Sequence, residues 1–579
     1  MPPSATTSPP RLRTRSLPTL ATLVGTAYLL TALIGVWAAY DRDAAWLRLL
    51  TIALGVTAAL AIAWLGQLGG ERALALSGIA CAWAGAALAG YFLLTYDWQA
   101  LDTAKQGFAG VWQIGLWIQS HRPNLSLPEA IHSNVAGSAL ALLLPLGACA
   151  VAWCLRRRTF RLAAWITLPA VLLTGAVMLL TMSRGALLGT AAGLGLAGYL
   201  AWRRAGRAAI RWRHLGDLLM VALGITAVLG FTWLLASPGA VDSSVASRPQ
   251  MWQWAIDLIA DYPFTGSGLG STMMVHASYL LIIHVGFLPH MHNLVLQVGI
   301  EQGIPGLLTF LALAALAVSN VVIAYRRGAD LWLSGGAVVA LTTLAVQGTF
   351  DAVPYASRLA FITFVPLGFA LGLRAPPGLP GAAAARAARV STATLAALLA
   401  LLAAGSLAIV LSLPSGQAAL QSNLGAVAQT RAELGRYVWP EWPIQDALRR
   451  SPQIDLQPAI ARYQAALASN PRQASANRRL GQIELSQGAY DAARLHLETA
   501  YRQAPQRYAT RLLLGESYAI AGQPAEAATL WRSISSQMWW QEDWLARSVL
   551  QGREYWYDSI GEPQRAQALR LAREQISSN

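Results

Sequence analysis

The chain has 579 residues, of which 55% are hydrophobic and only 12% charged, with a mean hydropathy of +0.42. That balance excludes an ordinary soluble enzyme and a single small domain, and identifies an integral membrane protein. The formal charge of +15 does not point to nucleic acid, because most arginines sit in short loops beside apolar runs, where membrane topology accounts for them.

Apolar runs of about 18 residues or more cross a hydrocarbon core roughly 30 Å thick as helices, which satisfy their own backbone hydrogen bonds. Candidate spans are 18–40, 46–66, 74–96, 131–154, 160–182, 185–202, 217–237, 304–325, 330–350, 359–373 and 393–413, about eleven helices. Residues 1–17, rich in Pro, Ser and Arg, read as a cytoplasmic tail and lack the short apolar region and small-residue site of a cleaved signal. Cys81, Cys149 and Cys154 lie in apolar stretches with no metal or disulfide spacing and read as packing residues.

With every span counted, the basic segments Arg11/Arg13/Arg15, Arg72, Arg156/Arg157/Arg158/Arg161, Arg203/Arg204/Arg207/Arg211/Arg213, Arg326/Arg327 and Arg374/Arg386/Arg389 fall on one side. The positive-inside rule makes that side cytoplasmic. The turn at Ser183-Arg184, the insertion 238–303 and the segment around Asp351 then face outward, so Arg184, Arg248 and His292 share the non-cytoplasmic face.

Within the insertion, Pro249–Asp261 reads as an amphipathic helix ended by Pro263, with Trp252 and Trp254 suited to the lipid headgroup level. The following Gly266-Ser-Gly268-Leu-Gly270 is either a flexible loop or a place of close backbone approach to a ligand. It lacks the strand-turn-helix setting of a dinucleotide site.

Beyond Pro414 the composition becomes polar and helical. Pro471, Leu480-Gly481, Gly488 and Ala493 recur as Pro505, Leu514-Gly515, Gly522 and Ala527, a 34-residue period. This is the tetratricopeptide period, in which small residues let paired helices pack and each unit buries its face on the next. Residues 459–470 and the Trp-rich stretch 539–556 read as caps of the stack. The expected organisation is a tail (1–17), a membrane domain (18–415) and an extracytoplasmic repeat domain (416–579). The expected fold class is all-α: a polytopic membrane helix bundle followed by a soluble α-solenoid.

Five ordered pieces carry a resemblance: Asn134 in HSNVAGSALALLLPL, Ser183-Arg184-Gly185 in LTMSRGALLG, the run from Arg248 through GSGLGS, HNLVLQVGIEQGIPGLL from His292, and QGTFD ending at Asp351. Across residues 130–370 the chain resembles the bacterial O-antigen ligase and O-antigen polymerase superfamily of multispanning, GT-C-like glycosyltransferases. His292, Asn293, Gly303 and Gly306 match the ligase pattern. The resemblance implies metal-independent, inverting transfer of a glycan from a polyprenyl (undecaprenyl) diphosphate to an acceptor hydroxyl, at the outer face of the bacterial cytoplasmic membrane. It implies no cofactor.

Guanidinium forks recognise phosphate oxygens bidentately and stay charged, so Arg184 and Arg248 are the candidates for holding the diphosphate. An imidazole titrates close to neutrality, which makes His292 the candidate general base, with Asn293 orienting it or the substrate. Asn134 and Asp351 are candidate substrate contacts. Each has a plainer reading: Arg184 as a membrane-edge anchor, Arg248 as a headgroup-binding arginine, Asn134 in a capped helix start and Asp351 as a solvated helix end.

His276, His284 and His290 lie near His292, but no carboxylate or cysteine pattern accompanies them, and no metal is expected. Asp41 and Asp43 are D-x-D spaced and read as a hydrated turn more readily than a cation site. The acceptor class stays open among lipid, glycan and protein, so polymerase and protein O-oligosaccharyltransferase are alternatives. A lipid-linked glycan transporter and an assembly scaffold, recruiting an envelope protein through the repeats, are readings of a different class.

Overall fold

Backbone N–H and C=O groups find no partners in hydrocarbon, so long apolar runs close their hydrogen bonds internally as helices. The computed structural model describes residues 16–99, 109–205 other than 124, 126 and 128, 248–279, 289–374, 408–436 other than 409 and 411, 445–535 and 549–577. Among them every regular element is helical. The first six are α1 (Ser16–Ala38), α2 (Arg42–Thr95), α3 (Ala109–His121), α4 (Ser133–Leu155), α5 (Arg161–Leu180) and α6 (Arg184–Arg204). Then follow α7 (Arg248–Asp261), α8 (Thr272–Tyr279), α9 (Leu294–Arg326), α10 (Leu331–Phe350) and α11 (Val365–Gly372). Seven helices among the described residues are long and apolar enough to cross a membrane, so the chain is a multi-pass membrane protein.

The expected spans 46–66 and 74–96 are the two arms of α2, separated at Gly70, whose φ of 66° leaves the helical region. The expected span 359–373 is a 3-10 turn, Ala360–Phe364, followed by the eight-residue α11, which starts where Pro366 tolerates a missing donor. Span 217–237 lies outside the described residues, as does most of 393–413.

Helix α4 is the hub, packed by α2, α5, α6 and α10. Lipid tails are as apolar as the helices, so close van der Waals approach holds such a bundle, and small residues allow it. A Cβ at Gly78 would lie 2.6 Å from the Leu146 oxygen, one at Gly147 2.7 Å from Ala82 Cβ, and one at Gly336 2.3 Å from Cys149 Sγ. The three cysteines are free and buried, as packing residues should be.

The two ends of the bundle differ. At one, Arg157 pairs with Glu71 at 2.6 Å, Arg204 donates to the Ala329 oxygen at 2.6 Å, and Arg374 donates to the Gln67 oxygen at 3.3 Å. The basic loops thus gather there. The opposite end carries the starts of α2, α4, α6 and α9, and the end of α10.

Helix α9 is broken at Gly303, with φ 69°. Its first arm meets the glycine loop that follows α7. Ser267 N donates to the Ile300 oxygen at 2.7 Å, Ile304 N to the Pro263 oxygen at 2.8 Å, and Leu269 N to the Gly35 oxygen at 3.1 Å. A Cβ at Gly266 would lie 2.4 Å from Gln302 N, and one at Gly268 2.4 Å from Ala39 Cα. The close approach at Gly266-Ser-Gly268 is therefore backbone to backbone, and the loop satisfies the polar groups that the break in α9 frees.

The C-terminal part comprises α12 (Pro414–Leu434), α13 (Gln445–Arg450), α14 (Gln457–Ser469), α15 (Ala474–Gln487), α16 (Tyr490–Gln503), α17 (Tyr508–Ile520), α18 (Pro524–Ser535), α19 (Gln551–Ser559) and α20 (Pro563–Ser577). The 34-residue spacing has a structural counterpart. Gly488 and Gly522 both take left-handed φ at helix ends, 90° and 81°. Gly481 faces Leu497 just as Gly515 faces Trp531.

These helices dock on the insertion. Asp261, fully buried, meets Arg478, Arg479 at 3.1 Å and Arg507 at 3.2 Å. Asn423 Oδ1 accepts from Phe264 N at 2.9 Å, and the Tyr262 hydroxyl bonds Thr430. Trp254 is buried against His276 and Tyr508, with ring centroids 5.3 and 5.9 Å away. The headgroup placement expected for Trp254 is corrected accordingly: its apolar stripe faces protein.

Candidate active site

Helix ends build the site. The α4 start is capped by His132, whose Nδ1 accepts from Asn134 N at 3.2 Å, so the cap is His132 and not Asn134. Beside it, Met182 takes φ 53° in the turn that opens α6 at Arg184. A Cβ at Gly137 would lie 2.7 Å from Ser183 Cβ, Gly185 lies against Gln347, and Gln347 bonds Ser138. Asn134, Arg184 and the end of α10 consequently occupy one end of the bundle.

The α9 start supplies the rest. Asn293 caps it, accepting from Leu296 N at 3.0 Å while donating to the Thr349 oxygen at 3.2 Å. Both ends of its amide are engaged by protein, so Asn293 ties α9 to α10 and fixes the residue before it. That residue, His292, has φ 47°, a left-handed conformation that a non-glycine side chain adopts at a cost of about 1 kcal/mol or more.

His292 Nδ1 lies 3.5 Å from Asp351 Oδ1, and His290 Nδ1 lies 3.7 Å from the same oxygen. The two imidazoles are edge to face, centroids 4.3 Å apart. Asp351 is 13% exposed and sits at the α10 C-cap, so the solvated-end reading is corrected. The expectation that no carboxylate accompanies the histidines is corrected too, since Asp351 reaches them from another helix.

Arg248, the first residue of α7, completes the electrostatics. Burial, reinforced by the charges of His292, His132 and Arg248 and opposed by Asp351, pushes the His290 imidazole down to about 4. Burial alone would raise the Asp351 carboxyl, but a hydrogen bond from His292 and the charges of His290, His292 and Arg248 outweigh it and hold that carboxyl below its ordinary value. Arg248, His292 and Asp351 are thereby brought into one electrostatic unit. Arg184 is exposed at the same bundle end.

Residues 168–311 match the O-antigen ligase family. The O-antigen ligase match runs from within α5 into α9 and contains Arg184, Arg248, His292, Asn293 and Gly303, while Asn134, Asp351 and the C-terminal helices lie outside it. It supports ligase-like glycan transfer in polysaccharide biosynthesis, with a lipid-linked glycan and an acceptor meeting in a membrane. No curated protein matches the chain.

A buried polar chain beneath the site escaped the sequence reading. Arg48 Nη2 pairs with Glu301 Oε2 at 3.2 Å, and its guanidinium lies 4.4 Å from the Tyr355 ring centre. Gln297 donates to Glu301 Oε1 at 3.1 Å and to Thr272 at 2.8 Å, and it accepts from Met291 N at 3.2 Å. This chain anchors the His290–His292 loop from below. The available signal was a charge inside each of two apolar helices, which in a membrane protein marks a partner.

At Asp41 and Asp43, Asp41 caps α2 through Ala44 N at 3.0 Å, a helix start of ordinary kind.

Proposed function

We propose that the chain transfers a glycan from a polyprenyl diphosphate to an acceptor hydroxyl at the extracytoplasmic face of the cytoplasmic membrane, without a metal ion. The observation that carries this reading is His292 Nδ1 3.5 Å from the Asp351 carboxylate, beside Arg248, in residues matching O-antigen ligase. Asp351 orients the imidazole and offsets the charge it gains. The imidazole takes the acceptor hydroxyl proton as that oxygen bonds to the anomeric carbon from the face opposite the diphosphate. The C–O bond to the diphosphate breaks, its electron pair leaves with polyprenyl diphosphate, and the configuration inverts.

Arg248 and Arg184 face the growing negative charge. Each charge-assisted hydrogen bond contributes on the order of 1.5–3 kcal/mol, more where water is excluded. The gathering of basic loops at the opposite end supports an extracytoplasmic site by the positive-inside rule. The paired helices at a 34-residue period support a tetratricopeptide domain, 416–579, that meets an acceptor or envelope protein.

The test is reconstitution with a polyprenyl-diphosphate glycan and candidate acceptors in the presence of chelator, comparing wild type with His292→Ala. Loss of transfer by at least a hundredfold in the variant is expected. Undiminished transfer refutes the base assignment, and loss of wild-type transfer in chelator refutes metal independence. A scaffold reading is tested with the same point variant, because truncation at 415 would strip Asn423, Arg478, Arg479 and Arg507 from the insertion and disturb α7 directly.

A further inference from the structure

His290, His292 and Asp351 form the one group of metal-capable side chains found among the described residues, each offering a donor atom within 4.8 Å of the other two. A tetrahedral ion bound at about 2.0–2.1 Å by nitrogen and oxygen spaces its ligand atoms roughly 3.3 Å apart. The two imidazole nitrogens stand 3.7 and 3.5 Å from Asp351 Oδ1, within a few tenths of an ångström of that spacing.

The His-Met-His turn sets both rings on the same side, because the left-handed φ of His292 folds the chain back over its neighbour. His292 Nδ1 is buried, and its contact with the Asp351 carboxylate is long, 3.5 Å. Two backbone contacts compete: His292 N reaches His290 Nδ1 at 3.3 Å, and Ala352 N donates at 2.8 Å to Asp351 Oδ1, an oxygen that keeps a second lone pair for a cation. The loop is preset by Gln297 and Asn293, so little ordering remains to be done on binding. Two imidazoles and one carboxylate suit a first-row divalent transition metal better than the harder calcium or magnesium, and three protein ligands leave a position open. The Arg248 charge opposes a cation, which sets the affinity below that of a structural zinc site.

We propose that His290, His292 and Asp351 constitute a zinc-class metal site whose occupancy inhibits the protein. The inhibitory half rests on the proposed role of His292: an ion on Nδ1 leaves the ring proton on Nε2, so the imidazole has no lone pair left with which to accept a proton. Zinc ion is here an effector, and transfer proceeds in its absence.

The experiment uses the full chain in nanodiscs of zwitterionic lipid, stripped with chelator and titrated with Zn2+, for wild type, His290→Asn and Asp351→Asn. Binding is read by calorimetry and by retained metal, and folding by thermal unfolding. One ion per chain with micromolar affinity is expected for wild type, at least tenfold weaker in either variant, with imidazole nitrogen in the zinc K-edge spectrum. Equal zinc binding by all three chains, or a spectrum without imidazole, overturns the site. In the transfer assay zinc should suppress wild-type turnover and chelator restore it, whereas the turnover that remains in His290→Asn should no longer respond to zinc. Zinc that binds wild type yet leaves its turnover unchanged overturns the inhibitory half. Full transfer by His292→Ala would instead refute the base assignment, leaving the binding isotherms to decide the site.

Discussion

Replacing Asp261 with Asn keeps the shape and one acceptor oxygen but removes the charge that three guanidinium groups share. The carboxylate is 0% exposed and the Arg478, Arg479 and Arg507 side chains 2, 8 and 12%, so water cannot replace it. Removing one partner from a buried ion pair costs about 3–5 kcal/mol, since the remaining charge stays desolvated. Here three cations lose the carboxylate they share, which places the loss of docking free energy at the upper part of that range. At about 1.4 kcal/mol per factor of ten, the open fraction of the interface should rise roughly 10³-fold or more.

Hydrogen exchange of peptides from α7 and α15 reads that fraction directly, with α4 and α10 peptides as internal controls. The three arginines hold the Asp261 carboxyl well below the usual carboxylate range against the cost of its burial. A depressed folded value means that its stabilisation is complete above about pH 4 and fades as pH falls further, so strong acid should reproduce the variant in wild type. Arg248 lies at the far end of the 14-residue α7, about 20 Å away, and should lose its fixed position along with the helix. Exchange in α7 and α15 within threefold of wild type would refute the reasoning.

Three further outcomes are expected. His290 is largely and His276 fully buried, their imidazoles pushed down to about 4 and about 3, so each stabilises the fold above pH 6.5 and loses that contribution as pH falls toward the folded value; by pH 5 the loss is about 2 kcal/mol per group, read as a falling unfolding temperature that His276→Gln should blunt. Glu301→Gln strands Arg48 and should cost about 3–5 kcal/mol by thermal unfolding, with the double variant Arg48→Met/Glu301→Leu recovering much of it. Gly303→Ala and Gly70→Ala both force a positive φ on alanine, but a Cβ at Gly303 would also lie 2.8 Å from the Pro263 oxygen while Gly70 is open, so Gly303→Ala should destabilise more, by about 2 kcal/mol or above against about 1.

Hydropathy and loop charge made most of the bundle legible, because a run such as Ser133–Leu155 has few ways to exist in lipid. The 34-residue spacing was equally plain, since Gly488 and Gly522 must recur wherever the helix ends recur. The motif around His292 was visible for its residue types. What stayed hidden was what required the third dimension. Asp351 stands beside His292 only because Asn293 ties α9 to the end of α10, at Thr349, 56 positions away. Trp254 sits on an amphipathic face, and amphipathicity does not say whether lipid or protein covers it. Gly266 and Gly268 carry the spacing of a ligand cradle, yet their open faces receive the broken arm of α9 and the end of α1.

Arg48 leaves the ribosome 253 residues ahead of Glu301. Until α9 is threaded into the bilayer, that guanidinium stays uncompensated near the start of α2, close enough to the aqueous boundary for its long side chain to reach outward. Neutralisation is thus a late event in biogenesis, and a nascent chain stopped short of residue 301 holds an α2 whose first turns prefer the surface to the interior. Settling of the first turns of α2 therefore waits on the insertion of α9, and one carboxylate decides it.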